Sequence, residues 1–250
     1  SLHLGKKTAP SLLNTDGVSE GLAQYIDHTL FKAEATSDDI ERICQEALAH
    51  GFASVCVNSA WIGFVKKALL GSPVKPISVV GFPLGAMSSA AKGFETASAI
   101  RDGAQEIDMV ISIGHLKSGD FETVYRDIQT VIQAAEGVPV KAILETCLLT
   151  EKEKITGCVI AKSAGAQFVK TSTGFSTGGA TLEDVALMRA VVGEEMGVKA
   201  SGGIKTRSQA LAMIAAGANR IGTSSSVALV AEGLVSEQTR DKVSTSQDDY

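Results

Sequence analysis

The feature that most constrains this chain is a rhythm. Apolar, strand-sized runs recur eight times, at QYIDHTL (24–30), SVCVN (54–58), PISVVGF (76–82), EIDMVIS (106–112), PVKAILET (139–146), FVKTST (168–173), VKASGG (198–203) and RIGTSS (220–225). Their starts lie roughly 22 to 33 residues apart, the length of one strand, one helix and two loops. The runs are nearly continuous in hydrophobicity rather than alternating. Parallel strands look this way when helices cover their outer face.

The intervening segments carry helix punctuation. TSDDIERICQEALAHG places Ile40, Ile43, Cys44, Ala47 and Leu48 on one face, with acids in the first turn and Gly51 as the stop. Thr150 and Glu153 form a capping-box pattern. GFASV (51–55), GAQEI (103–107), GAQFV (165–169) and GANRI (217–221) repeat a helix-ending glycine followed by a strand, at spacings of 52, 62 and 52 residues. Each spacing is about two strand–helix units. Eight such units predict a closed (β/α)8 TIM barrel, with an open doubly wound sheet as the alternative. At 250 residues the chain suits a single barrel domain, 1–250, with a polar N-terminal segment 1–20 and a C-terminal tail 231–250.

Composition narrows the function classes. The net charge is −5 and no basic block is present, which argues against nucleic acid or an anionic membrane as the main partner. No apolar run approaches the ~18 residues of a membrane helix. The start, SLHLGKKTAP, lacks an apolar signal core, so cytoplasmic residence is the expectation. Cys44, Cys56, Cys147 and Cys158 form no CxxC and have no histidine at ligand spacing, so most are expected as buried small hydrophobes. HExxH, GxGxxG after a strand and GxxxxGK[ST] are absent.

Ionisable residues inside apolar strands are the strongest functional signal, because a buried charge is costly unless paired or shifted in pKa. They are Asp27, Asp108, Lys141, Glu145, Lys170 and Lys199. The three lysines fall on consecutive strands, five to seven, so inward-facing ammonium groups would crowd one another near a carboxylate. Desolvation and a neighbouring cation both favour a neutral amine, which can attack a carbonyl to form a Schiff base. Lys170 in FVKTSTG is the best candidate, with Lys199 as the perturbing cation and Asp108 as charge balance and proton carrier. Plain ion pairs filling the polar end of a barrel are the competing explanation.

A phosphate grip is predicted at the barrel mouth. SGGIKT (201–206) and GTSSS (222–226) end strands seven and eight, where barrels commonly bind phosphate. Gly202 and Gly203 allow close backbone approach, Ser224 and Ser225 add hydroxyls, and Gly174 could complete the ring. Tight turns and helix caps would use the same residues.

With these segments in hand, the chain resembles the deoxyribose-phosphate aldolases. The resemblance spans about residues 22–230 and is carried by YIDHTL, EIDMVI, VKAILET, VKTSTGF and KASGGIKT. It implies a class I aldolase that reversibly cleaves 2-deoxy-D-ribose 5-phosphate into D-glyceraldehyde 3-phosphate and acetaldehyde, with no metal or other cofactor and often as a homodimer. It implies Lys170 as the Schiff-base lysine, Lys199 as its pKa-lowering neighbour, and Asp108 with Lys199 as a proton relay through water. Asp27, Thr29 and Cys56 are implied to line the sugar end of the pocket, with Lys141 a charged neighbour. Gly174, Gly202, Gly203, Ser224 and Ser225 match phosphate-binding positions. Phe175 stands where some relatives carry a lysine, which removes a cation from that site. The chain ends in Tyr250, and some members use a terminal tyrosine in proton transfer. A transaldolase-like enzyme would share the lysine and phosphate loops. A silent sugar-phosphate-binding barrel would keep the loops without needing all three of Lys170, Lys199 and Asp108.

Overall fold

A computed structural model describes residues 21–231 of the chain. Among them, eight parallel strands close into a barrel in sequence order, with the last pairing back onto the first. They are β1 (Ile26–Leu30), β2 (Ser54–Asn58), β3 (Lys75–Val80), β4 (Glu106–Val110), β5 (Val140–Ile143), β6 (Phe168–Lys170), β7 (Gly197–Ser201) and β8 (Arg220–Thr223). The β1–β8 ladder decides for the TIM barrel and against the open sheet. Around it lie α1 (Ser37–His50), α2 (Ile62–Ala68), α3 (Ser89–Asp102), α4 (Ile113–Lys117), α5 (Phe121–Ala134), α6 (Glu151–Ala164), α7 (Leu182–Val192) and α8 (Arg207–Ala215). Residues 1–20, and all but the first residue of the expected tail 231–250, lie outside the described residues.

Local chemistry sets the element ends. Thr36 with Asp39 and Thr150 with Glu153 form reciprocal capping boxes at α1 and α6. The repeated glycines at 51, 103, 165 and 217 all have positive φ, so the two-unit echo in the sequence is a left-handed stop before a strand. Several predicted strands end early: PVKAILET pairs only over Val140–Ile143 and FVKTST only over Phe168–Lys170. Their last residues leave the ladder and build loops at the C-terminal face.

The strands have two unlike faces. Val57, Met109, Val169 and Val198 point outward and join one core with Ile43, Val65, Val131 and Met188 of the helices. Inside the barrel, Cys56, Ile77 and Val79 on β2 and β3 form a small apolar cluster against Phe31 and Phe82. Much of the rest of the interior is charged, with Phe168 packed against Lys141 and Arg220. Outside the barrel, fully buried Lys92 of α3 donates to Asp127 of α5 at 2.6 Å and to the Val110 carbonyl at 2.8 Å. Nothing in the helical pattern announced that pair. Cys44, Cys56 and Cys158 are buried and Cys147 is exposed. No helix among the described residues is long and apolar enough to cross a membrane.

Candidate active site

Pairing register brings the strand charges together. Lys170 and Lys199 are direct partners across β6–β7, and Asp108 and Lys141 are partners across β4–β5. Asp108 is the hub. Its Oδ1 accepts from Lys141 at 2.8 Å, while its Oδ2 accepts from Lys170 at 2.9 Å and from Lys199 at 2.7 Å. Lys199 also meets Asp27 at 2.5 Å. Closer to the strand starts, Arg220 reaches Asp27 at 2.7 Å and Glu106 at 3.2 Å, and Lys141 reaches Glu106 at 2.5 Å. Gly222 makes room for this packing, since a Cβ there would lie 3.0 Å from Lys199 Cε.

The charges do not balance if every cation is protonated. Among the described residues of the interior, Lys141, Lys170, Lys199 and Arg220 face Asp27, Glu106 and Asp108. One cation is in excess, and the contacts decide which is weakest. Burial disfavours charge on all of them. For Lys199 the two carboxylates Asp108 and Asp27 outweigh burial and hold its pKa above the ordinary value. For Lys141, burial is likewise outweighed by acids, chiefly Asp108, and its pKa is raised. Lys170 has only Asp108, shared with two competitors. Burial and the repulsion from Lys199 prevail there, and its pKa is lowered. Asp108 is itself buried, but the three lysines keep its carboxyl well below the carboxylate range. The interior thus holds an ionised carboxylate, two firmly charged lysines and one lysine biased toward the free amine.

Lys170 is also the member of the set that reaches open space. A cavity of about 340 Å³ at the C-terminal face is lined by Lys170, Thr29, Thr173, Gly174, Gly202, Gly203, Ser224 and Ser225, among others. The wall nearest Lys170 is aromatic. Its Nζ lies 5.7 Å from the Phe31 ring, Phe31 packs on Phe82 at 4.6 Å, and Phe175 meets Phe82 edge-on at 5.4 Å. The opposite wall is glycine and hydroxyl backbone, with Gly202 and Gly203 both at positive φ. Glu145 of the predicted strand charges does not join the lysines. It sits in the left-handed region at φ 56° and accepts from the Thr173 hydroxyl, fixing the loop after β6.

Most of the expected site residues fall on the cavity wall or on the charged floor beneath it. Thr29, Gly174, Gly202, Gly203, Ser224 and Ser225 lie on the cavity wall with Lys170. Asp108, Lys141 and Lys199 form the charged floor beneath it. Asp27 and Cys56 differ from their expected place. Neither lines the cavity: Asp27 is fully buried against Lys199, Arg220 and Ser54, and Cys56 is buried with its Sγ 4.0 Å from Asp108. Burial pushes the Cys56 thiol up to about 12. Tyr250 lies outside the described residues. Sequence reasoning missed Glu106 and Arg220, which stand at strand starts and read there as surface residues. It also missed Lys32 and Lys205, exposed lysines whose place at the cavity rim depends on loop geometry. Among the described residues, no group of three or more His, Cys, Asp or Glu is placed to hold a metal ion.

Fold and site together define a class, the (β/α)8 barrels in which a buried lysine opens into a glycine- and hydroxyl-lined cavity at the C-terminal face. The comparisons narrow it. The chain matches the DeoC/LacD family aldolase over residues 22–235. It is 58% identical over 209 residues to the deoxyribose-phosphate aldolase of Streptococcus sanguinis, covering 84% of this chain and 95% of that one. It is 58% identical over 217 residues to that of Thermococcus gammatolerans, covering 85% and 96%. In structure it is similar to the tetrameric deoxyribose phosphate aldolase of Aeropyrum pernix, with a TM-score of 0.81 at 35% identity, over 86% of this chain and 92% of the other. The chain belongs to the DeoC/LacD aldolase family.

Proposed function

We propose that this chain is a class I deoxyribose-phosphate aldolase, reversibly cleaving 2-deoxy-D-ribose 5-phosphate into D-glyceraldehyde 3-phosphate and acetaldehyde. The observation that carries the proposal is Lys170 at the cavity floor, sharing one oxygen of Asp108 with the charged Lys199. Its free amine attacks the C1 aldehyde of the open-chain sugar, and loss of water leaves a protonated imine. The C3 hydroxyl then gives up its proton. The C2–C3 bonding pair flows into the imine, releasing the phosphorylated aldehyde and leaving an enamine. Proton return to C2, relayed by Asp108 and Lys199 through water, gives the acetaldehyde imine, and hydrolysis frees Lys170.

The cup of Gly174, Gly202, Gly203, Ser224 and Ser225 takes the phosphate, with Lys32 and Lys205 adding charge at the rim. Holding that remote group orients the reacting carbons. Asp27, Cys56 and Lys141 act from beneath by holding the charged floor, and Thr29 faces the sugar. Tyr250 remains a candidate proton carrier on the tail. A phosphorylated sugar substrate fits a cytoplasmic enzyme, and the family resemblance favours a homodimer, which sedimentation would test against the tetramer of the Aeropyrum relative. Borohydride added with deoxyribose 5-phosphate should leave a reduced two-carbon adduct on the peptide containing Lys170. An adduct on another lysine, or cleavage confined to ketose phosphates, would overturn the assignment.

A further inference from the structure

His28 takes no part in the chemistry above, yet it is tied to the cup. On β1, Asp27 and Thr29 face the interior and His28 faces the helices, where it is 2% exposed. Its ring joins two elements. Nε2 lies 2.6 Å from Glu46 Oε2 of α1, and Nδ1 lies 2.8 Å from Ser226 Oγ. Ser226 is fully buried at the start of the helical turn that follows β8, and its hydroxyl lies 3.1 Å from the Thr223 carbonyl. Thr223 is the register partner of His28 across β1–β8. Its Oγ1 donates to the Ile204 carbonyl at 2.8 Å and accepts from the Ser225 N–H at 3.0 Å. One chain of bonds thus runs from α1 through the imidazole into residues 223–226. Thr223, Ser224 and Ser225 of that segment line the cavity.

The Ser226 hydroxyl has one hydrogen and two neighbours that could take it. When Glu46 accepts the Nε2–H of a neutral ring, Nδ1 offers a lone pair and the Ser226 O–H donates to it. When the ring is charged, Nδ1–H donates to Ser226 and the hydroxyl turns to the Thr223 carbonyl. Burial holds the His28 pKa below its ordinary value, against the pull of Glu46, with Arg42 and His50 adding to the lowering. The neutral arrangement is therefore the resident one at neutral pH. An apolar residue would fill the same space but would not give the Ser226 hydroxyl a directional partner beyond the bonds within the segment.

We propose that His28 is a positioning residue for the phosphate end of the substrate, acting through Ser226 on the segment 223–226. This rests on the proposed function in one respect, that the segment receives the sugar phosphate. The test compares kcat and KM for 2-deoxyribose 5-phosphate and for unphosphorylated 2-deoxyribose in the wild type, His28→Gln, His28→Asn and Ser226→Ala. A Gln amide reaches the Nε2 position and keeps the Glu46 contact. An Asn amide reaches the Nδ1 position and keeps the Ser226 contact. The expected result is a rise of about tenfold in KM for the phosphorylated sugar in His28→Gln and Ser226→Ala, with kcat within about twofold. His28→Asn restores most of that loss, and the parameters for the unphosphorylated sugar stay level throughout. Equal losses on both sugars, or an Asn variant as impaired as Gln, would overturn the proposal. Ser226→Ala removes a single oxygen and decides the matter alone if the His28 variants do not fold. A wild type that handles both sugars alike would remove the phosphate assignment, and this proposal with it. A phosphate-preferring wild type matched by Ser226→Ala would remove only the role of His28.

Discussion

Lys170 and Lys199 sit side by side at the same register, both buried and both bonded to the same oxygen of Asp108. One is biased toward the free amine and the other toward the ammonium. Their strands and depth do not separate them. What separates them is the lower half of the barrel, where Asp27 gives Lys199 a second carboxylate and gives Lys170 nothing. The lower half, with Arg220 and Glu106, is an ion-pair network in which partners are matched. The upper half is short of one anion and opens into the cavity. The two halves differ along the barrel axis, and the deficit in anions leaves Lys170 the lysine with the least carboxylate support.

The comparison breaks most visibly when the amine is removed. Lys170→Met should lower turnover of deoxyribose 5-phosphate by on the order of 10^4-fold and abolish the borohydride adduct, read by progress curves and intact mass. The same substitution should cost under about 1.5 kcal/mol of stability, because Lys170 is the least supported of the three lysines and Asp108 keeps Lys141 and Lys199. Lys199→Met should do the opposite in stability. It removes the cation that bridges Asp27 and Asp108, two fully buried carboxylates left to Arg220, Lys141 and Lys170, and denaturant unfolding should show a loss of about 3 kcal/mol. Equal stability losses in the two variants would erase the distinction between the lysines.

The pH profile sharpens the same point. In the proposed mechanism cleavage needs neutral Lys170, so activity should rise as pH climbs through its lowered pKa. Lys199→Leu removes the repelling cation and leaves Asp108 freer to hold the Lys170 proton. Both changes raise the pKa, so the acid limb of kcat/KM moves to higher pH. A limb that stays in place would assign the low pKa to burial alone. The smallest effect is expected at the rim. Phe175→Lys adds a solvent-exposed cation beside the cup and should lower KM for the phosphorylated sugar by about threefold at low salt, fading as salt rises.

Much of this was legible in the chain, and the gaps have physical causes. The strand rhythm, the capping boxes and the left-handed glycines are local, set by hydrophobic spacing and φ preference within a few residues. The lysines of strands five to seven stood out because apolar runs rarely tolerate charge. Arg220 and Glu106 did not, because a charge at a strand start reads as rim. Lys92 and Asp127 sat on helices, where a charge usually faces water. His28 lay in YIDHTL as one polar residue among several, and only the β1–β8 closure brings it to Ser226.

The sequence by itself determined the number of strands, their helical cover and the buried charges that the barrel must accommodate. Those follow from periodicity and from the cost of placing an ion in an apolar run. Only the tertiary structure decided which carboxylate each lysine meets, that Asp27 and Cys56 lie beneath the cavity, and that Lys170 is the least supported cation. Those outcomes depend on register around a closed ring. There a shift of one residue in any pair would turn inward charges toward the helices and leave Asp108 with different partners.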